Sequence, residues 1–207
     1  MGCSRSKLTE FKLLLATTNQ GKIKELERAL DHLSFKIASL SELPSGLIYE
    51  ETGSRFNEIA RGKSLFYGRY WDDLTLGEDS GLEIEALDNA PGVHSARFSG
   101  PDSSDDDNIL KVLYLMRHIP AENRRARFVS SMALTRGGLV IKEIQASVEG
   151  VIISAPRGRG GFGYDPIFYY PPLDRTFAEL SAGEKNRVSH RGRALRELQA
   201  TLERLSS

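Results

Sequence analysis

Apolar residues run almost unbroken over residues 11–16 (FKLLLA) and stop at Thr17-Thr18-Asn19, the profile of a short buried strand. From Gly21 the spacing becomes helical: Ile23, Leu26, Leu30 and Leu33 share one face, with Lys24, Glu27 and Arg28 outside it. Asn19 is placed to cap that helix. A second strand is predicted over residues 35–40. After a turn at 44–46, Phe56, Ile59, Ala60 and residues 63–67 predict another helix, opened near Thr52-Gly53-Ser54. Leu82, Ile84 and Ala86 then alternate with Glu83 and Glu85, the two-residue period of a half-exposed strand, and residues 89–92 turn the chain. Ser104 and Asp107 have capping-box spacing ahead of an apolar stripe of Ile109, Val112, Leu113 and Met116, which Pro120 ends. Residues 127–135 and 139–145, joined by Arg136-Gly137-Gly138, predict a β-hairpin. A further strand is expected over 148–154, and the last helix runs from about Ser189 with Ala194, Leu195, Leu198, Leu202 and Leu205 inward.

Helices and strands alternate in the first half and a hairpin-rich sheet fills the second, so the predicted class is α/β with a mixed sheet. No repeat, low-complexity tract or linker divides the chain. Residues 1–9 are expected to form a flexible N-terminal extension and 10–207 a single domain. In the 207 residues, 28 Lys and Arg balance 28 Asp and Glu, which removes the usual electrostatic argument for a nucleic-acid partner. No apolar run approaches the roughly 18 residues of a membrane-spanning helix. The single cysteine, Cys3, allows no internal disulfide and no multi-cysteine zinc site, which fits a reducing compartment. Met1-Gly2-Cys3-Ser4-Arg5-Ser6 matches the N-myristoylation pattern with a neighbouring cysteine for palmitoylation. It is read instead as a polar, frayed extension, and a cytoplasmic protein without a membrane partner is expected.

Two glycine motifs fail on context. Gly158-Arg159-Gly160-Gly161-Phe162-Gly163 satisfies G-x-G-x-x-G, but Tyr164-Asp165-Pro166 and then Pro171-Pro172 follow where a dinucleotide fold needs a helix start. Gly62-Lys63-Ser64 imitates the end of a Walker A loop inside a segment that reads as helix. A stronger signal is Thr17-Thr18-Asn19-Gln20-Gly21-Lys22, a donor-rich loop between a buried strand and a helix whose N-terminus attracts anions. Capping alone explains Asn19 but not the cluster, and Lys22 is read as a helix-surface lysine. Glu50-Glu51 before a helix and Glu78-Asp79-Ser80-Gly81 before a strand could converge on a hard cation, which takes one or two carboxylates plus substrate phosphates; each alone also suits a solvated loop end. Residues 184–192 (EKNRVSHRG) gather cations near a helix start or form a charged turn. Phe162, Tyr164 and Asp165 could hold a base or make a buried aromatic corner.

Together, TTNQGK (17–22), EETGSRFNEIARGK (50–63), EDSGLEIEAL (78–87), APGVHSARFSG (90–100), GGFGYDPIF (160–168) and EKNRVSHRG (184–192) resemble, in order and spacing, the inosine triphosphatase family, the Ham1/RdgB-type noncanonical purine NTP pyrophosphatases. The resemblance covers all but about the first nine residues. It implies a mixed central sheet flanked by helices in two lobes with the nucleotide cleft between them, a homodimer, a Mg2+ requirement, and hydrolysis of ITP, dITP and XTP to the monophosphate and pyrophosphate. By motif it also implies that Thr17, Thr18, Asn19, Gln20, Gly21 and Lys22 hold the triphosphate. Glu50 and Asp79 would bind the metal, and Asp79 would accept the proton of the attacking water. Ser80, Phe162, Gly163, Tyr164, Asp165, Lys185, His190 and Arg191 would complete the substrate site. Two departures stand out: Thr18 where many members carry Gly, and Glu78 where Asp is most common, so that replacing Glu78 by Asp is expected to be mild. A Maf-like pyrophosphatase with another base preference and a nucleic-acid module in the Arg-rich C-terminal third are the rival readings.

Overall fold

The first strand, β1 (Phe11–Leu15), buries Leu13, Leu14 and Leu15 on both of its faces, as a strand inside a parallel sheet must. The computed structural model describes residues 11–33 and 35–206, so the N-terminal extension and its lipidation pattern lie outside the described residues. Helix α1 (Gln20–Leu30) follows, with the Asn19 side chain accepting from the Lys22 N–H as expected of its cap. The remaining elements are β2 (Phe35–Ser39), α2 (Phe56–Tyr67), β3 (Leu74–Ile84), α3 (Asp105–Leu115), β4 (Arg125–Arg136), β5 (Leu139–Ile152), β6 (Phe168–Tyr170), β7 (Arg175–Thr176), α4 (Ala182–Val188) and α5 (His190–Ser206). They form a seven-stranded sheet of order β2-β1-β3-β4-β5-β6-β7. The β1 strand runs parallel to β2 and β3, and every later pairing is antiparallel. The α/β class and the mixed sheet are as predicted. No helix among the described residues is long and apolar enough to cross a membrane.

The long strands β3, β4 and β5 thread two apolar clusters. One joins Leu13, Leu26, Leu30, Leu76, Leu134, Leu195 and Leu198 from β1, α1, α5 and the near halves of the long strands. The other joins Ile84, Ile109, Val112, Phe128, Ile152, Phe168 and Phe177 around α3 and the short strands. Between them β3 carries Gly77-Glu78-Asp79-Ser80-Gly81 and β4 carries Ser130 and Ser131, paired in register. This polar belt is sheet, not the loop before a strand that the sequence pattern suggests; its backbone is held by neighbours on β4, so it needs no apolar alternation of its own. Two more expectations are corrected. The strands expected over 139–145 and 148–154 are one continuous strand, β5. Ala86 lies in a 3-10 turn, Glu85–Leu87, and not in a strand.

Two local features aim the belt. Pairing of β1 with β3 ends at Leu76, after which the chain leaves into loop 16–19 while β3 continues for eight residues against β4, with a bridge from Glu83 to Pro91 only at its far end. The side of β3 vacated by β1 becomes a cleft, at the carboxyl end of the parallel strands, where open α/β sheets bind ligands. On the opposite face a Cβ on Gly77 would lie 2.1 Å from the Ala60 carbonyl oxygen. Glycine there lets α2 press directly on β3 and brings Lys63 within reach of the strand.

Candidate active site

The cleft holds a cavity of about 580 Å³. Its walls are loop 16–19 with the first turn of α1, the segment 47–51, the face of α2, the belt of β3, the turn Gly92–Arg97, the loop that carries Phe162, and α4 with α5. Successive strand residues point to opposite faces, so Glu78 and Asp79 part company. Glu78 looks toward α1 and α5, where its oxygens meet Lys22 Nζ at 2.7 Å and Arg191 Nε at 3.3 Å, and accept from Ser130 Oγ at 3.1 Å. Asp79 looks toward α2, with Oδ1 3.4 Å from Lys63 Nζ and 3.9 Å from Lys22 Nζ.

These contacts belong to one alternating chain of charge. Arg97 Nη1 meets Glu51 at 2.8 Å, Glu51 meets Lys63 at 2.5 Å, and Lys63 leads to Asp79, Lys22, Glu78 and Arg191. Arg191 continues to Glu25, Glu25 to Lys185 at 2.8 Å, and Lys185 to Asp165 at 2.5 Å. The five cations and five carboxylates neutralise one another, as buried charges must. Their environments nevertheless differ. Burial alone would raise the Glu78 carboxyl, but the charges of Lys22 and Arg191, with hydrogen bonds from Lys22 and Ser80, hold it far below the usual carboxylate range. Burial raises Asp79 instead: the nearby Lys22 and Lys63 offset that rise only in part, and the negative charges of Glu78 and Glu51 add to it. Asp79 Oδ2 is buried without a hydrogen-bond partner.

At the far end of the chain, α4 and α5 supply Lys185, His190 and Arg191, all buried. The His190 ring stacks on Phe128 with centroids 4.8 Å apart and planes 14° off parallel. Burial and the charges of Arg191 and Lys185 push its pKa well below the ordinary histidine value, so the imidazole is neutral, and its Nδ1 has no hydrogen-bond partner. Lys185 Nζ lies 4.7 Å and Arg191 Cζ 5.4 Å from the Phe162 ring centroid, within cation–π range. Arg191 Nη2 also donates to Ser80 Oγ at 2.8 Å.

Most residues singled out in the sequence meet here. Thr17, Thr18, Asn19, Lys22, Asp79, Ser80, Phe162, Gly163, Tyr164, Asp165, Lys185, His190 and Arg191 all line the cavity. Gln20 faces solvent outside it. Gly21 sits beneath the Phe162 ring, where a Cβ would come within 2.7 Å of a ring carbon. Tyr164 lends its ring to the wall, but its hydroxyl donates to the Ser95 carbonyl at 2.8 Å and burial drives its pKa up, so it braces the Gly92–Arg97 turn. Lys22 is 9% exposed, not the surface lysine of the sequence reading. Glu50 faces solvent and its neighbour Glu51 lines the cleft, because burial alternates along 49–52.

Sequence reasoning did not single out Lys63, Glu25 or Arg97. Lys63 had a signal: it falls on the apolar face of α2, four residues after Ile59 and seven after Phe56, where an unpaired lysine would be costly. Glu25, three residues after Lys22, shares a face of α1 with it. Among the described residues no three His, Cys, Asp or Glu groups converge as a ready-made metal cage. A hard cation that takes one or two carboxylates and completes its shell with substrate oxygens fits the unpartnered Asp79 Oδ2 and the nearby Glu51.

A model of the Ham1 family matches residues 13–201. The dITP/XTP pyrophosphatase of Desulforamulus reducens is 43% identical over 195 residues, covering 94% of this chain and 97% of that protein. The dITP/XTP pyrophosphatase of an Exiguobacterium species is 45% identical, with coverage of 93% and 97%. The solved structure of a HAM1 protein from Coxiella burnetii matches with a TM-score of 0.85 at 38% identity, over 94% of this chain and 99% of that one.

Proposed function

The chain belongs to the Ham1 family, and from that premise we propose how its cleft hydrolyses noncanonical purine nucleoside triphosphates (ITP, dITP and XTP) to the monophosphate and pyrophosphate. The observation that carries the reading is Asp79: buried, raised in pKa, flanked by Lys22 and Lys63, with one oxygen lacking any partner. A carboxylate so placed can take a proton from water aimed at the α-phosphorus. Water adds to that phosphorus, the bond to the bridging oxygen breaks, and pyrophosphate leaves. Lys22 and Lys63 stand where charge gathers on the phosphate oxygens, an arrangement that favours the transition state without reorganisation. Thr17, Thr18 and Asn19 orient the phosphates from the loop before α1. Mg2+ would be held by Asp79 and by Glu51, in place of the solvent-facing Glu50, and when bound would neutralise phosphate charge and fix the geometry of the chain.

At the other end, Phe162 offers a face for the purine and Asp165 an acceptor for its N1–H. The neutral His190, with Lys185 and Arg191, lies where O6 needs donors. Adenine presents the reverse pattern and would leave buried groups unpaired, the strongest form of rejection available to a binding site. The same reading takes the enzyme as a cytoplasmic homodimer with no nucleic-acid or membrane partner. Pyrophosphate release across a panel of NTPs, with and without Mg2+, tests it. Mg2+-dependent turnover of ITP, dITP and XTP with little of ATP is expected. Release of single phosphate, or a preference for dTTP or UTP, would contradict it.

A further inference from the structure

The turn that carries Phe162 into the cleft is held at its tip by two carboxylates. Backbone bonds fix its flanks, from Arg157 N–H to Pro166 O at 2.9 Å and from Gly160 N–H to Ala178 O at 3.0 Å. Between them Gly161 and Gly163 both have left-handed φ, +74° and +59°, and a backbone this permissive is costly to order. Two successive N–H groups of the tip are then taken up. Phe162 N–H donates to Asp165 Oδ2 at 3.0 Å, and Gly163 N–H donates to Asp105 Oδ2 at 2.6 Å. Asp165 already belongs to the nucleotide site. Asp105 comes from elsewhere in the fold: it is the first residue of α3, a helix anchored in the second apolar cluster by Ile109 and Val112. That helix does not need the Asp105 side chain as a cap, since Ser104 and Asp107 cap it reciprocally.

We propose that Asp105 is a positioning residue for purine selection, which fixes the Gly163 amide and thereby holds the Phe162 ring against Gly21 and beside Lys185 and Arg191. The proposal rests on the reading of this end of the cleft as the base site. A short N–H hydrogen bond to a side-chain oxygen is directional, and it ties the mobile-by-composition tip to a rigid helix. With the ring fixed, a purine laid on it meets Asp165 and Lys185 in one register. With the tip loose, the ring and the acceptor next to it sample several registers, so both affinity and discrimination fall while Asp79 and its neighbours are untouched.

Steady-state kinetics with ITP and with ATP, together with amide hydrogen exchange over residues 158–166, separate this from a plain structural role. Asp105→Ala is expected to raise KM for ITP about three- to tenfold, the range set by one lost hydrogen bond, with kcat within about twofold of wild type. The preference for ITP over ATP should fall and exchange at 161–163 should quicken. Asp105→Asn keeps an acceptor oxygen and should restore all three. An unchanged KM and unchanged exchange in Asp105→Ala, or a loss confined to kcat, would overturn the proposal. Wild-type enzyme that does not prefer ITP over ATP would instead overturn the reading of the base site beneath it, and that outcome is read before any variant is made.

Discussion

The two faces of β3 carry neighbouring carboxylates into opposite environments. On the face toward α1 and α5, Glu78 is 1% exposed and meets Lys22, Arg191 and Ser130. It is held ionised, the counter-ion of Lys22 and Arg191. On the face toward α2, Asp79 shares Lys63 with Glu51, sits within reach of Lys22, and keeps one oxygen unpartnered. Both are carboxylates on adjacent residues of one strand, so residue type does not separate them. The partners brought up by the helices do, pushing the two acidities apart as paired catalytic and supporting groups require. The charge-balancing half of the site must be complete before the reacting half can be poised, because Lys22 serves both.

That dependence predicts a graded series of effects. Lys22→Met removes the shared cation while keeping its bulk, leaving Glu78 buried with Arg191 alone. A loss of about 3–5 kcal/mol in urea unfolding is expected, the usual consequence of breaking a buried pair, together with a severe loss of ITP turnover. Wild-type stability in that variant would mean the pairing seen here does not hold the fold. Next comes Glu78→Asp, which withdraws the carboxylate by one methylene from Lys22 and Arg191. The sequence reading makes this change mild; the enclosed position now predicts a cost of about 1–3 kcal/mol from weakened bonds to a charged group, readable as a lowered thermal midpoint. The last change is read in selectivity: Asp165→Asn swaps an acceptor-only group for one that also donates. Its expected effect is roughly a tenfold fall in the ITP-to-ATP ratio of kcat/KM, the size of one mismatched hydrogen bond; an unaltered ratio would remove Asp165 from base reading.

What could be read from the sequence divides along the same physical line. The segments whose pattern answers to one apolar cluster, such as β1, α1 with its Asn19 cap, α3 with its capping box and the β4–β5 hairpin, were legible because burial imposes periodicity. The belt of β3 was not, since its register is imposed by β4 while its side chains answer to the cleft. Glu78 and Asp79 could therefore be named as chemistry before they could be placed on opposite faces of one strand. Which of Glu50 and Glu51 faces the cleft was not legible for a related reason: the inward turn depends on the local extended backbone and on Lys63 and Arg97 waiting inside. Glu25 and Lys63 are each supplied by a helix to neutralise a charge from a distant segment: the place of Lys63 on the apolar face of α2 marks it in the sequence, but the partners of both appear only when those segments meet.

The division between the two faces is tested most directly by one paired measurement on Asp79→Asn, Mg2+-dependent pyrophosphate release from ITP alongside the thermal midpoint. The variant keeps the size of the side chain and the whole Glu78 network. Turnover should fall at least about 10²-fold, the lower range for loss of a general base, while the midpoint stays at or rises above the wild-type value, since the ionised Asp79 is disfavoured by burial. An enzyme that still releases pyrophosphate at a wild-type rate would take the reacting role from Asp79, and a lowered midpoint would contradict the division of labour between the two faces.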